Sequence, residues 1–243
     1  RILRGGAAVD ALSGAGWVMA GIWVLNAGSS SIKFSLFSGE RRPEPSSVVC
    51  EGICDGIGHQ IHAEIRDAFG KRLANELLSG EADHEHALAW LLAWLESNFA
   101  DHSLIAAGHR IVHGGSRYSE PALIDADVIL ELERLIPLAP LHQPHHLEAI
   151  AALSKLHPGL LQIGCFDTAF HHTQPKVATQ FALPRKLTEA GVRRYGFHGL
   201  SYEYVASVLP EVAGSGVASG RVVIAHLGSG ASMCALRQGR SVA

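Results

Sequence analysis

Two Gly-Ser turns, each between two strand patterns, have residue types suited to binding phosphate. Residues 26–31 (Asn-Ala-Gly-Ser-Ser-Ser) join apolar segments at 22–25 and 32–37, and residues 227–230 (Leu-Gly-Ser-Gly) join a similar pair further along the chain. Backbone N–H groups and hydroxyls at such turns can bind phosphate oxygens, and Lys33 adds a cation beside the first turn. Neither a P-loop nor a G-x-G-x-x-G pattern is present. This layout has two explanations. The turns are either two ordinary surface turns or parts of a duplicated unit, in which they face each other across a cleft.

Three further side chains have types and positions suited to ligand binding. Arg110 lies near the end of a strand pattern at 103–112, before a double glycine, where a guanidinium can bind a carboxylate through two hydrogen bonds. Asp167 follows a strand pattern at 160–166, at the end of the strand where open α/β sheets bind ligands. His198 lies in a glycine-flanked loop and can donate a charged hydrogen bond. Each has a structural alternative. Arg110 could form a surface ion pair, Asp167 could serve in a turn or cap, and His198 could be a solvated loop histidine.

The 15 histidines invite a metal-site interpretation. There is no H-E-x-x-H pattern, and the clusters lack an obvious set of carboxylate or thiolate partners. The sequence therefore does not favour a zinc site or a zinc-dependent hydrolase. The clustered histidines are His142, His145, His146, His171 and His172.

Apolar periodicity predicts an α/β layered domain around these side chains. Further strands are expected at 48–53 and 60–65, and the later strand patterns alternate with helices. Four helices are predicted, with these apolar faces: Leu88, Leu91, Leu92, Leu95 and Phe99 behind a capping Asp83; Val128, Leu132, Leu135 and Ile136; Leu147, Ile150 and Leu153 after Pro144; and Val205, Val208 and Leu209 after Ser201.

Composition excludes several classes of protein. The 47% hydrophobic content excludes disorder, and a net charge of −3 lacks the basic excess expected of a nucleic-acid-binding protein. Four cysteines without paired spacing indicate a reducing, cytoplasmic compartment. The longest apolar tract, 7–27, is too weak for a membrane span, so no membrane partner is expected. Because Met19 is the first methionine, we interpret residues 1–18 as an upstream or leader segment; a secretory signal is the alternative.

Five segments, in order, resemble the acetate kinase family: 26–33, 108–115, 137–142, 166–171 and 195–199. The similarity runs from about residue 22 to residue 243. It implies the actin and sugar kinase superfamily and a ribonuclease H-like (actin-like ATPase) α/β domain with a mixed sheet. We expect that domain at 19–171, followed at 172–243 by the start of a second, nucleotide-binding domain of the same type. The length of about one and a half domains agrees with this division.

The resemblance also implies site residues. Asp167 resembles the family's catalytic acid, and His198 resembles its transition-state stabiliser. Arg110 looks like the substrate carboxylate ligand, with His142 a weaker candidate nearby, and Asn26 looks like a ligand of the magnesium–nucleotide complex. The implied lining of a small methyl pocket is Val112, Leu141 and Phe197. The implied nucleotide contacts are Ser29, Ser31, Lys33, His226, Leu227, Gly228, Ser229 and Gly230.

The implied reaction is reversible, Mg²⁺-dependent phosphoryl transfer from ATP to acetate or propionate, giving an acyl phosphate and ADP. Ser229 stands where the family usually has Asn. The sequence also ends before the family's catalytic arginine and adenosine pocket, so we expect a truncated chain with negligible kinase activity. The family implies a homodimer for the full-length protein. The alternatives are a non-catalytic phosphate-binding domain and another acyl kinase such as a butyrate kinase.

Overall fold

A β-hairpin opens the fold and presents two polar side chains at its tip. The computed structural model describes residues 19–39, 45–228 and 230–243. Strands β1 (Met19–Ala27) and β2 (Ser31–Ser38) pair antiparallel, with Asn26 opposite Lys33. Directly opposed residues share a face of the sheet, so both side chains project to the same side. This confirms the hairpin predicted at 22–37.

The hairpin belongs to a mixed sheet of eight strands, in the order β5-β4-β3-β2-β1-β6-β8-β7. The pairs β1–β6 and β6–β8 are parallel, and the other pairs are antiparallel. Three parallel strands therefore end side by side at one edge of the sheet. The remaining strands are β3 (Val48–Asp55), β4 (His62–Asp67), β5 (Arg72–Leu77), β6 (His102–Ile111), β7 (Ala122–Leu123) and β8 (Leu161–Phe166).

Three helices pack with this sheet: α1 (His84–Asn98), α2 (Ala126–Arg134) and α3 (Gln143–Leu156). The Asp83 side chain caps α1 by accepting from the His86 backbone N–H, as predicted. The largest core cluster joins the sheet to α1 and α3, and a smaller one lies between β6, β8, α2 and α3. Short 3₁₀ helices span Pro45–Ser47, Ile136–Leu138 and Ala169–Thr173.

The later part of the chain forms a smaller layer. The long helix α6 (Gly199–Ala213) packs against a three-stranded antiparallel sheet in the order β11-β10-β9. Its core contains Tyr202, Ile224, Cys234 and Leu236. The other elements are α4 (Lys176–Thr179), α5 (Arg185–Glu189), α7 (Ser215–Ala218), β9 (Arg221–Leu227), β10 (Ala231–Arg237) and β11 (Arg240–Ser241).

Every strand and helix predicted within the described ranges is present, with small shifts at the ends. Phe99 lies just past the end of α1, as its C-cap, and α3 begins at Gln143, one residue before the predicted Pro144. Strand β5 was not predicted because only Ala74 of its six residues is buried, which leaves no apolar alternation. Residues 1–18, part of the proline-containing loop before β3 and Ser229 lie outside the described residues. Among described helices, none is long and apolar enough to cross a bilayer.

Candidate active site

A cleft of about 920 Å³ lies where the two Gly-Ser hairpins approach each other. Both hairpins contribute to its wall, which agrees with the interpretation of two turns facing across a cleft. Most of the predicted site residues line it: Asn26, Lys33, Arg110, Val112, Leu141, His142, Asp167, Phe197, His198, His226, Gly228 and Gly230. Ser29, Ser31 and Leu227 are not in this wall, and both Ser29 and Leu227 are exposed.

The base of the cleft is built by the adjoining ends of the three parallel strands. Asn26 and Arg110 are the next-to-last residues of β1 and β6, and Asp167 directly follows β8. The Asp167 N–H donates to the Ile111 carbonyl at 2.9 Å. The β1–β6 register pairs Leu25 with His109, so Asn26 and Arg110 come next to each other. Parallel strands that end together bring their terminal side chains to one place, as expected for ligand sites in α/β sheets.

Arg110 binds two of these neighbours at once. Its Nε and Nη2 donate to the Asp167 carboxylate, with Nη2 2.7 Å from Oδ2, and its Nη1 donates to Asn26 Oδ1 at 3.1 Å. The Asp167 side chain is 2% exposed, whereas that of Arg110 is 33% exposed. A guanidinium has five N–H donors and these bonds use three of them, so two N–H groups of Arg110, one on each terminal nitrogen, stay available for a ligand in the cleft. Asp167 stays buried because its charge is paired.

An apolar wall stands beside this charged base. Val112, one residue after β6, is buried, Phe197 is half-buried and Leu141 is 74% exposed, and all three line the cleft. Phe197 is held in place because the buried His171 ring contacts its carbonyl through Nε2 at 3.0 Å. Donors for a carboxylate therefore lie next to a surface that fits a short alkyl group.

His198 is fixed in an unusual backbone conformation at the start of α6. Its φ of 56° is left-handed, and the next residue, Gly199, donates its N–H to the Asp167 carbonyl at 2.9 Å. A Cβ on Gly199 would lie 2.0 Å from that carbonyl oxygen, so only glycine permits this approach. The helix start is thereby attached to the strand end that carries Asp167.

A hydroxyl pair orients the His198 ring. Ser232 Oγ, on β10, lies 2.7 Å from His198 Nδ1 and also bonds the hydroxyl of the buried Tyr202. The His226 ring stacks on His198 with centroids 4.1 Å apart, and Ser201 Oγ bonds His226 Nδ1 at 3.0 Å. Burial lowers the pKa of His198, and His226 and Arg110 add to this effect while Asp167 opposes it. Without a ligand, His198 is therefore a neutral imidazole at neutral pH.

Sequence reasoning missed several residues that support the site. Ser232 and Tyr202 lie on elements that were predicted, but no local pattern connects them with His198, 34 and four residues away in the chain. The Thr168 hydroxyl accepts from the Gly114 N–H at 3.0 Å and fixes the loop after Arg110. His146 also lines the cleft, and burial, with nearby Arg110 and His142, lowers its pKa to about 3.

Comparison with known proteins agrees with this fold and identifies a family. An acetokinase family model matches residues 21–243. The acetate kinase of Rhodopseudomonas palustris (strain TIE-1) is 54% identical over 220 residues, covering 90% of this chain and 55% of the relative. That of Methylocella silvestris is 47% identical over 226 residues, covering 90% and 56%. The chain thus spans about half the length of these curated relatives.

Solved structures give the same result. A propionate kinase from Francisella tularensis superposes with a TM-score of 0.80 at 33% identity, covering 92% of this chain and 56% of that one. Porphyromonas gingivalis acetate kinase superposes with a TM-score of 0.77 at 34% identity and the same coverage. The chain is thus an α/β protein whose mixed eight-stranded sheet matches the fold of these kinases. The match over residues 21–243 makes the assignment specific: the chain belongs to the acetokinase family.

Proposed function

We propose that this chain forms the carboxylate-binding and phosphate-binding part of an acetate kinase, which transfers the γ-phosphoryl group of ATP reversibly to acetate, and also accepts propionate. The observation that carries the proposal is the pair of unused Arg110 donors beside the apolar wall of Val112, Leu141 and Phe197. A short-chain carboxylate fits both features at once. Family membership supports the same reaction class.

The proposed nucleophile needs no strong base. A carboxylic acid with a pKa of about 4 is already ionised at neutral pH, so the protein has to position it and neutralise charge. Arg110 holds the substrate carboxylate through its remaining N–H groups while its bonds to Asp167 and Asn26 persist. This pairing fixes the guanidinium plane before the substrate arrives, which lowers the entropic cost of orienting it.

His198 is proposed to stabilise the transferring phosphoryl group. In-line transfer spreads negative charge over the equatorial oxygens, which a preorganised N–H donor can stabilise. If Tyr202 donates to Ser232 and Ser232 donates to Nδ1, the neutral His198 ring carries its proton on Nε2. Nε2 lies close to Gly230 of the second hairpin, since a Cβ built on Gly230 would be 3.3 Å from this nitrogen. His198 would thus donate towards the phosphate-binding turns.

The nucleotide phosphates are proposed to lie between the two hairpins. Lys33 supplies a cation from the first, and Gly228 and Gly230 of the second line the same cleft. The Asn26 amide oxygen is of the type that Mg²⁺ accepts, and one of its two lone pairs is left over by the bond from Arg110, so Asn26 would hold that ion near the phosphates. Mg²⁺ would neutralise charge on the phosphate oxygens.

The proposal extends to the protein's surroundings. All four cysteines are free thiols, and burial raises the pKa of Cys50 and Cys54 to about 12, so both remain protonated. This supports a reducing, cytoplasmic location, which cell fractionation tests. A homodimer of the complete protein is also proposed, and sedimentation velocity measures it.

A chimaera tests the proposed function. The remaining carboxyl-terminal portion of the Rhodopseudomonas palustris relative, about 45% of its length, is joined to this chain at the matching position. Acetyl phosphate is measured by hydroxamate formation with acetate or propionate, ATP and Mg²⁺. We expect robust activity in the chimaera and negligible activity in the 243 residues alone. A folded chimaera that phosphorylates neither acid would refute the proposal.

A further inference from the structure

Two histidines and a glutamate meet next to the first hairpin tip, and none of the three is part of the cleft wall. His84 is the first residue of α1, and His145 and Glu148 lie on the first turns of α3. Glu148 Oε2 is 3.0 Å from His145 Nδ1 and 3.5 Å from His84 Nδ1. The two imidazole rings stack with centroids 5.4 Å apart. Three donor atoms from two helices therefore converge within 4.8 Å of one another.

A hydrogen bond on the opposite edge of His84 determines what its Nδ1 can do. His84 Nε2 lies 2.8 Å from the Gly28 carbonyl oxygen, which can only accept, so Nε2 carries the proton. In the neutral ring, Nδ1 then has a lone pair directed towards the Glu148 carboxylate. A lone pair facing a carboxylate oxygen is repulsive, and either a proton on Nδ1 or a metal ion between the two atoms relieves the repulsion. Histidines that bind metals commonly donate their other N–H to a backbone carbonyl in this way.

The two distances from the Glu148 carboxylate are compatible with a zinc-type cation. Zinc bonds nitrogen and oxygen ligands at about 2.1 Å, and a tetrahedron with such bonds has ligand atoms about 3.4 Å apart. The two separations from Glu148 Oε2, 3.0 and 3.5 Å, bracket this value. The Glu148 side chain is 54% exposed, so the ion can enter from solvent and complete its coordination with water.

We propose that His84, His145 and Glu148 form a binding site for a divalent transition-metal cation of the zinc class, bridging α1 and α3. This corrects the sequence interpretation that the clustered histidines lack a carboxylate partner, since Glu148 supplies it. The ion lies behind the first hairpin: His84 binds the carbonyl of Gly28, and Gly28 lines the cleft. A metal on Nδ1 fixes the His84 ring and with it the position of the hairpin tip.

The same two helices offer a matched control. Lys155 on α3 bonds Glu85 on α1, the residue after His84. This ion pair also links the two helices but contains no histidine that could bind a metal. Glu85→Gln breaks that bridge and leaves the three proposed ligands intact. His59→Asn removes an exposed histidine elsewhere, and His198→Asn removes a cleft histidine that could bind zinc with His226.

Isothermal titration calorimetry with Zn²⁺ on the protein, without a histidine tag, tests the site. We expect one equivalent bound, with affinity reduced about tenfold or more in His145→Asn and Glu148→Gln, because partners outside the ligand shell alone change metal affinity by about 10–100-fold. Binding in the three controls should be unchanged. At 100 times the Kd, Zn²⁺ should raise the Tm by about 5–10 °C.

Two further readouts separate the site from general zinc binding. The Co²⁺ complex should show the visible absorption of a low-symmetry site in the native protein and lose it in Glu148→Gln. Hydrogen exchange at 28–31 should slow on Zn²⁺ addition in the native protein and not in His145→Asn. No binding, equal binding in all variants, or loss of binding in His198→Asn would overturn the proposal. Zinc binding with unchanged exchange at 28–31 would overturn the link to the hairpin tip.

Discussion

Replacing Arg110 by methionine should destabilise the fold even without any ligand. The change leaves the Asp167 carboxylate, 2% exposed, without the guanidinium that now binds it through two nitrogens. Breaking a fully buried pair costs about 3–5 kcal/mol, whereas exposed pairs contribute at most about 1 kcal/mol. Since one third of the Arg110 side chain is exposed, we expect a loss of about 2–3 kcal/mol in the free energy of unfolding.

Urea unfolding followed by far-UV circular dichroism at pH 7.5 measures this loss. For a domain of this size the same change lowers the Tm by about 4–12 °C. Arg117→Met is the matched control, because Arg117 is 60% exposed and its Glu131 partner is 3.7 Å away, so its cost should stay within about 0.5 kcal/mol.

A double-mutant cycle makes the explanation specific. Adding Asp167→Asn to Arg110→Met removes the unpaired buried charge, so the double variant should be about 1–2 kcal/mol more stable than the sum of the single changes. If Arg110→Met costs no more than Arg117→Met, or if the two changes at the pair are additive, then the proposed electrostatic role of Arg110 in the fold is refuted.

The remaining predictions concern His198 and the buried histidines. In the chimaera, His198→Ala should lower kcat for acetyl phosphate formation by about 10²–10³, the range for loss of one transition-state donor. Ser232→Ala should lower kcat by a smaller factor. It should raise the pKa of His198, measured by NMR, only slightly, because burial and the neighbouring His226 still lower that pKa. A larger fall in kcat for Ser232→Ala than for His198→Ala would contradict the positioning role of Ser232. Stability should fall as pH drops below about 6.5, since burial lowers the pKa of His109 to about 4 and of His146 to about 3, and the unfolded chain takes up protons first. Each of these two histidines should lower the free energy of unfolding by about 1.4 kcal/mol per pH unit, down to its folded-state pKa, as measured by urea titration. In His109→Gln the contribution of one histidine to this pH dependence should be lost.

The strand ends of the candidate site could be predicted from sequence because strand periodicity locates them. Arg110 and Asp167 each lie at the end of a recognisable strand, and parallel pairing of β6 with β8 brings those ends together. The hydrogen bonds between the Arg110 guanidinium and the Asp167 carboxylate could not be predicted from this periodicity. That contact depends on the register between strands more than 50 residues apart, which no local pattern encodes.

Other features depend on tertiary packing alone. Ser232 contacts His198 because β10 packs against α6, and β5 is an edge strand whose residues have little burial to produce alternation. The proposed zinc-class site was not predicted from sequence, because the clustered histidines showed no obvious set of carboxylate partners. His145 and Glu148 are three residues apart, a spacing that places both on one helix face, but His84 joins them only through the packing of α1 against α3.

Acetate saturation kinetics of the chimaera with Arg110→Lys tests the central claim most directly. Lysine keeps a positive charge beside Asp167 but cannot form two parallel hydrogen bonds to a carboxylate. Loss of one charge-assisted hydrogen bond, about 1.5–3 kcal/mol, predicts a KM for acetate raised about 10–100-fold. The KM for ATP should change little, and the Arg117→Lys chimaera should match the unmodified one. An unchanged KM for acetate in folded Arg110→Lys would contradict the assignment of Arg110 as the carboxylate ligand.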